Sequence, residues 1–476
     1  MRYTHLLLAM PLVFGLYACG DDTPNSPHNN DPLLSSESNG TDPLPTSSEG
    51  GVTPPPQSSA STVPVTTVAL ATNANIANAT ALYATWKNRW IMTLQEEKAG
   101  GSTLDYELFD GPRAQELLTA KMGAFHNNPA RVIWDGGNKN QCALTGMTTW
   151  KGNAMTAALL NKIGCSVSEG IGYGMLIAYF HGDRELFDAL WAYNIIARDN
   201  NTNGLMPWEL LSFSSTVSTA AALDADLDVA TALILASRKW QNNLYLSDAL
   251  ALITSIKNKG LNPTNLLIRP GDTWANKDVY NLSYLSPAAL RLFAEVDPTA
   301  GWDIVLATNY EYMIKIQAAG AVPLFPDWSN AAGEPTDPKN GSAANTYMLF
   351  DKESVRIPWR IAWDYYWYQS AESQQILTKM ANFISTATAN NPASLPTTSY
   401  NYSTGALSTS QTAGEHYVGM YCLMGFGVNP TWHNACFDYF TQKVQAYQAV
   451  GYTGTYFKEI LTIMYSTLMN GGFVKI

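Results

Sequence analysis

The chain has 476 residues, enough for one large core or for two or three average domains, and 46% are hydrophobic against 14% charged. Its formal net charge of −11 leaves no surplus of Lys and Arg to neutralise phosphates, which argues against nucleic acid as a partner. The 14 Trp, 25 Tyr and 15 Phe exceed what a core needs and suit a neutral or cationic ligand met through ring faces.

At the N-terminus, Arg2 precedes an apolar run over residues 6–18 that is too short to span a bilayer and has no stop-transfer pattern after it. The run ends in Leu16-Tyr17-Ala18-Cys19-Gly20, which resembles a bacterial lipobox. Residues 1–19 therefore read as a lipoprotein signal peptide with Cys19 as the lipidation site; an ordinary export signal with a chance Cys is the alternative. Residues 20–66 are mostly Ser, Thr, Pro, Asn, Asp and Gly, too poor in large apolar side chains to offset their own ordering entropy, and predict a flexible tether. The expectation is an exported protein, lipid-anchored to a bacterial membrane at the cell surface or in the periplasm. Setting Cys19 aside leaves Cys142, Cys165, Cys422 and Cys436, for which three pairings are open; the local ones, Cys142–Cys165 and Cys422–Cys436, are expected. The chain has no CxxC motif and its six His are scattered, so no structural metal is expected.

Residues 67–476 read as one domain of helix after helix. The patterning predicts helices over 77–98, 169–180, 183–197, 226–240, 247–257, 286–295, 302–318, 355–369, 371–387, 416–426, 432–449 and 455–469. Some, such as 227–236, are apolar nearly all round and must be enclosed; others, such as 183–197 with Leu186, Phe187, Leu190 and Trp191 on one face, are amphipathic. Enclosed helices alternating with one-faced helices predict an all-α fold with an inner ring wrapped by an outer one, an α/α barrel. Three loops, 199–219, 263–284 and 322–350, are too long for connectors and carry Trp208, Trp274 and Trp328, which read either as platforms for sugar rings or as pins holding the loops down.

Three acidic stretches could carry chemistry. In Ser168-Glu169-Gly170-Ile171-Gly172-Tyr173-Gly174-Met175, Ser168 reads as an N-cap and Glu169 sits in the first helical turn, where the exposed N–H groups favour a carboxylate. The glycines each cost a helix about 1 kcal/mol. In return they let something large approach the backbone, which is read here as room for a ligand chain. In 222–230, Asp224, Asp226 and Asp228 alternate along an enclosed helix; helical geometry turns Asp226 away from the other two, which disfavours a metal site. In 350–360, Asp351 and Glu353 precede Arg356 and Arg360, either a structural ion-pair network or part of a site. A fourth stretch, Asp199-x-Asn201-x-Asn203-Gly204, imitates the start of a calcium loop but has Leu210 where the twelfth-position Glu belongs, so a tight Asn/Gly turn is expected.

Taken together these stretches resemble glycoside hydrolase family 8, the inverting β-glycanases. The family's Ser-Glu-Gly-x-x-Tyr-Gly-Met is matched from Ser168 to Met175, and its Asp-containing signature from Ala222 to Ala230 and on to Ala236 and Trp240, with Leu223 and Val229 as mild departures. Asn281-x-Ser283-Tyr284-Leu285-x-Pro287-Ala288 and Arg356-x-Pro358-Trp359-Arg360 follow in the family's order. The resemblance implies an (α/α)6 barrel with no cofactor. It implies Glu169 as general acid and Asp224 as the residue holding the distorted sugar at the scissile bond. The general base in many members is an Asp three residues before the arginine matched by Arg356; here that position is Glu353, preferred over Asp351 as second choice. Tyr173, Trp208, Trp274, Tyr284, Arg356 and Trp359 are the candidate substrate-binding residues. The implied activity is hydrolysis of internal β-1,4 bonds in cellulose or a related β-glucan, by a monomer. A xylanase or chitosanase of the same family, or a non-catalytic glycan-binding lipoprotein on the same barrel, are the alternatives.

Overall fold

The computed structural model describes residues 67–476 apart from 138–140, 202, 275, 340–345, 409–413 and 452–453. The expected signal peptide, Cys19 and the tether lie outside the described residues. Twelve helices make the frame: α1 (Ile76–Trp90), α2 (Ser168–Phe180), α3 (Arg184–Asp199), α4 (Leu223–Trp240), α5 (Asn243–Gly260), α6 (Pro287–Val296), α7 (Trp302–Ala319), α8 (Ile357–Tyr368), α9 (Ala371–Ala387), α10 (Glu415–Met424), α11 (Pro430–Ala449) and α12 (Tyr456–Met469). The even-numbered helices each pack on the next, and α12 returns to α2, so they close a ring. Each odd-numbered helix lies against an inner one, giving six inner and six outer helices, an (α/α)6 barrel.

Sequence decides which helix goes where. Every residue of α4 from Leu223 to Ala236 is buried, as is all of α12 except Lys458, because neither has a polar face to turn outward. In α9 the buried residues Ile376, Leu377, Met380, Ala381 and Ile384 recur at helical spacing, so only one face is covered. The barrel interior is filled by indoles: Trp359 stacks on Trp363 at 5.7 Å, and Trp367 meets Trp363 edge-on at 5.1 Å. Arg360 and Asp228 form a buried two-pronged ion pair between α8 and α4.

Both expected disulfides are present. Cys142–Cys165 closes 23 residues and ties a loop to the strand that leads into α2; Cys422–Cys436 closes 14 and joins α10 to α11. Loops of this size contribute about 3 kcal/mol each by restricting the unfolded chain. No described helix is long and apolar enough to cross a membrane.

The structure differs from the sequence reading in three places. The expected helix over 77–98 is broken at Ile91–Thr93, which pairs antiparallel with Ala130–Val132; Thr93 and Glu96 then form a capping box that starts a new helix, Leu94–Ala99. Pro112–Met122 is a helix that the hydrophobic pattern did not signal, bounded by Pro112 at its first position and Gly123 in the left-handed region. Ser168 is not the N-cap of α2. That position is Val167, and Ser168 is already helical, its N–H given to the Trp208 carbonyl at 2.9 Å.

Asp226 is wholly buried on α4, with Oδ1 accepting the Met206 N–H at 3.1 Å and Oδ2 meeting no partner among the described residues. Burial pushes its carboxyl up to about 8. The folded value lies above the unfolded one near 3.9, so the stabilising contribution of the bound proton is full below about pH 4 and is lost as pH rises through 8. Asp226→Asn keeps the acceptor and removes the titration. Its melting temperature is expected to vary less between pH 6 and 9 than that of the parent chain, as read by thermal melts followed by circular dichroism; equal slopes would refute this.

Candidate active site

The inner helices α2, α4, α8 and α12 all start at one end of the barrel, and their first turns bring together residues far apart in the chain. Glu169 is the second residue of α2, Asp224 the second of α4 and Tyr456 the first of α12; Arg356 immediately precedes α8. The entry to α2 is fixed by Cys165–Val167, which pairs antiparallel with Glu209–Leu211 in the register Val167 opposite Glu209.

The three glycines of α2 turn out to make room for protein rather than for ligand. A Cβ at Gly172 would stand 3.0 Å from the Ala225 carbonyl oxygen and 3.1 Å from the Asp228 Cβ on α4. At Gly170 it would meet the Tyr456 ring at 3.1 Å, and at Gly174 the Val132 side chain at 2.9 Å. The expectation that a sugar chain crosses above them is therefore corrected. The glycines draw α4 and Tyr456 against α2, and that close approach is what sets Glu169 beside Asp224 and Tyr456.

Arg356 is the centre of the cluster. Its Nη1 donates to Glu169 Oε2 at 2.5 Å and to Asp224 Oδ2 at 3.1 Å, its Nη2 to Glu353 Oε2, and its Nε to the Glu353 carbonyl at 3.3 Å. Asn281 adds a second hydrogen bond to Glu353 Oε2 at 2.6 Å, and Tyr456 donates its hydroxyl to Glu169 Oε1 at 2.9 Å. The Tyr284 ring lies against the guanidinium, 5.5 Å from centroid to carbon. The side chains of Glu169 and Glu353 keep 16% and 13% of their surface open, against 4% for Arg356 and 2% for Asp224. Two carboxylates therefore face outward over a buried cation, with the third carboxylate beneath.

Burial pushes Glu169 up to about 7, against the pull of Arg356 and the Tyr456 hydroxyl and with the help of the Asp224 and Glu353 charges. Burial also raises Asp224, opposed chiefly by Arg356, and the surrounding carboxylates hold Arg356 firmly charged. Near neutral pH the site thus contains a carboxyl that can give up a proton.

Asp351, the second candidate base, faces elsewhere. It is buried, it accepts the Tyr417 hydroxyl, and its N–H bonds Asp327 Oδ1 at 3.0 Å. The other two aspartates of α4 also have their own partners, Asp226 the Met206 amide and Asp228 the Arg360 guanidinium, so the three do not converge. In the calcium-loop mimic, Asp199 pairs with Arg113, Asn201 bonds the Leu205 and Thr219 carbonyls, and Asn203 bonds Asp272: the side chains tie loops together. Cys142, Cys165 and Glu209 crowd within 4.8 Å, but both sulfurs are taken up by the disulfide.

The candidate binding residues divide. Tyr284 and Trp208 are half-buried, Tyr284 on Arg356 and Trp208 beside the start of α2 with Trp134 edge-on at 6.2 Å. Trp359 and Tyr173 are corrected: both are fully buried and meet each other edge-on at 5.9 Å, because these positions of α8 and α2 point to the barrel axis. Trp274 is also corrected. It is 3% exposed and stacks on Trp328 at 5.6 Å, so the pair pins two long loops together. Tyr456 and Asp327 were missed by the sequence reading, since neither sits in an acidic or aromatic pattern that singles it out.

Comparison with known proteins bears on this arrangement. Glycosyl hydrolases family 8 matches residues 148–471. Endoglucanase 2 of Ruminiclostridium josui is 36% identical over 224 residues, 46% of each chain, so the chain spans about half the length of the curated relatives it matches. Among solved structures, the apo β-1,3-1,4-glucanase of Paenibacillus sp. X4 superposes with a TM-score of 0.61 at 19% identity, over 86% of this chain and 96% of that one. A cold-adapted family 8 xylanase superposes with a TM-score of 0.54 at 22% identity, over 65% and 80%. At these identities the structural likeness is one of fold, the same barrel found above. The sequence match covers α2, α4 and α8 with the acids they carry, and on that ground the chain belongs to glycosyl hydrolases family 8.

Proposed function

We propose that the protein hydrolyses internal β-1,4 bonds of a polysaccharide with inversion at the anomeric carbon, acting on cellulose or a related β-glucan. The observation that carries this reading is the pairing of Glu169, which holds a proton near neutral pH, with Glu353 across the Arg356 guanidinium. Glu169 gives its proton to the glycosidic oxygen as the bond to the anomeric carbon breaks. Glu353 takes a proton from a water that attacks that carbon from the opposite face. Asp224, deeper and held by the same cation, accepts hydroxyl groups of the sugar at the scissile bond. Glu353 supports the base role better than Asp351 does, because it joins the cluster while Asp351 is tied to Tyr417. Half-buried Tyr284 and Trp208 are the residues suited to line the sugar path, with Arg356 ordering the acids beneath it.

Glu169→Gln is expected to lower kcat on soluble β-glucan by at least about 1,000-fold while oligosaccharide binding by calorimetry persists. Parent-like turnover would sink the acid assignment. Glu353→Ala and Asp351→Ala, assayed with and without azide, separate the candidate bases, since azide attacks without a base and restores only the variant that lost one. A panel of mixed-linkage glucan, carboxymethylcellulose, xylan and chitosan, read by reducing ends, tests the substrate; binding without product on every member would favour the non-catalytic reading.

The proton on Glu169 also sets a pH limit. Activity is expected to fall as pH rises through about 7. Tyr456→Phe removes a donor that favours the carboxylate, so the alkaline limb of kcat/KM should move to higher pH; an unmoved limb argues against Glu169 as the titrating acid.

We also read the protein as a monomer exported and lipid-anchored through Cys19, on the strength of Leu16-Tyr17-Ala18-Cys19-Gly20. In a bacterial host, Cys19→Ser is expected to move it from the membrane fraction to the soluble one; an unchanged distribution contradicts the anchor.

A further inference from the structure

Outside the cluster, Asp327, on the loop before Leu349–Phe350, carries a heavily bonded carboxyl. It is 5% exposed, and a single oxygen, Oδ1, accepts four hydrogen bonds: from the backbone N–H of Asp351 at 3.0 Å, Glu353 at 3.2 Å and Ser354 at 2.9 Å, and from the Ser354 hydroxyl at 2.6 Å. The Ser354 hydroxyl in turn accepts the Asp351 N–H at 2.9 Å. These donors belong to the one turn that carries Glu353. That turn has no cap of its own, since Glu353, the residue before the short helix Ser354–Arg356, makes no side-chain capping bond. We propose that Asp327 is a positioning residue for the general base: it gathers the N–H groups of the 351–354 turn onto one oxygen and so fixes where the Glu353 carboxylate stands relative to Arg356.

The chemistry favours a direct role in placement. Three N–H groups and a hydroxyl converge on one buried oxygen, and losing that acceptor would take a hydrogen bond from each of the four donors, the Asp351 N–H keeping its bond to Ser354 Oγ. Burial, with the neighbouring Asp351 and Glu353 charges, holds the Asp327 carboxyl well above the usual carboxylate range, against the pull of the Ser354 hydroxyl and N–H. In either protonation state Oδ1 is an acceptor, and what it bonds is the backbone of the turn that carries the base. Catalysis by a base requires hydrogen-bond reach to the attacking water, so a shift of about 1 Å in this turn is felt in kcat more than in KM.

This inference rests on the reading of Glu353 as base, and the experiment separates the two. On soluble mixed-linkage β-glucan, Asp327→Ala is expected to lose about 100-fold in kcat with KM changed less than about threefold. Azide should restore turnover as it does for Glu353→Ala, yielding the α-glycosyl azide. Asp327→Asn, whose amide oxygen can accept the same four bonds, should keep kcat within about fivefold of the parent. A folded Asp327→Ala with parent-like kcat, or with a loss that azide leaves unrestored while it restores Glu353→Ala, overturns the positioning role alone. A Glu353→Ala loss that azide leaves unrestored overturns the base assignment and this inference with it. Should Asp327→Ala not fold, Ser354→Ala removes one of the four donors; a loss of about tenfold recovered by azide supports the role, and any other result refutes it.

Discussion

A single guanidinium bonded to three carboxylates is an arrangement that water would not tolerate and the barrel mouth enforces. Like charges about 4 Å apart repel by roughly 4 kcal/mol at a protein surface, and taking away the cation bonded to all three would leave buried charge uncompensated at about 3–5 kcal/mol. Arg356 therefore decides how close Glu169, Asp224 and Glu353 can stand. Because one cation cannot satisfy three anions fully, one carboxyl is better off protonated. Burial raises both Glu169 and Asp224, and Glu169 is pushed up to about 7. The same contact has a kinetic side. Arg356 Nη1 rests on Glu169 Oε2 while Tyr456 holds Oε1, so both oxygens of the acid are engaged before a sugar arrives.

The frame beneath explains why these groups meet. Gly172 lets the backbone of α4 approach α2 to within reach of Ala225, and Gly170 lets Tyr456 lie on the same helix. Glu169, Asp224 and Tyr456 are thus separated by a helix-to-helix distance that is set in the core. The Arg360–Asp228 pair, one turn deeper on α8 and α4, repeats the crossing in neutral form and keeps the second arginine out of the cluster. Arg356 gathers the three carboxylates, and Arg360 ties together the helices that carry them.

The acids were legible in the sequence because each is a charge where a helix is otherwise apolar: Glu169 before residues 175–180, Asp224 at the head of residues 227–236. The same logic exposed the ring architecture, since all-round apolar helices must be enclosed. It failed where the partner is remote. Residues 77–98 have a helical period, and only the pairing of Ile91–Thr93 with Ala130–Val132 breaks them. Trp359 and Trp274 look like sugar platforms until their neighbours Trp363 and Trp328 are in place, and an aromatic residue alone does not say which of its faces is taken. Asp327 and Tyr456 lie outside any acidic or aromatic run, and their partners are 26 and 287 residues away. Spacing along the chain cannot report bonds of that length.

The Trp274–Trp328 stack, with Val279 and Tyr347 packed on it, is a small apolar cluster separate from the main core. Two loops are therefore fastened to each other by a store of buried surface that the barrel does not share. Segments stabilised this way form their own cooperative unit, opening and closing as one at a free energy below that of global unfolding. In hydrogen exchange such a unit has its own protection level. These two loops are thus expected to exchange at their own level, set apart from the melting of the helices behind them.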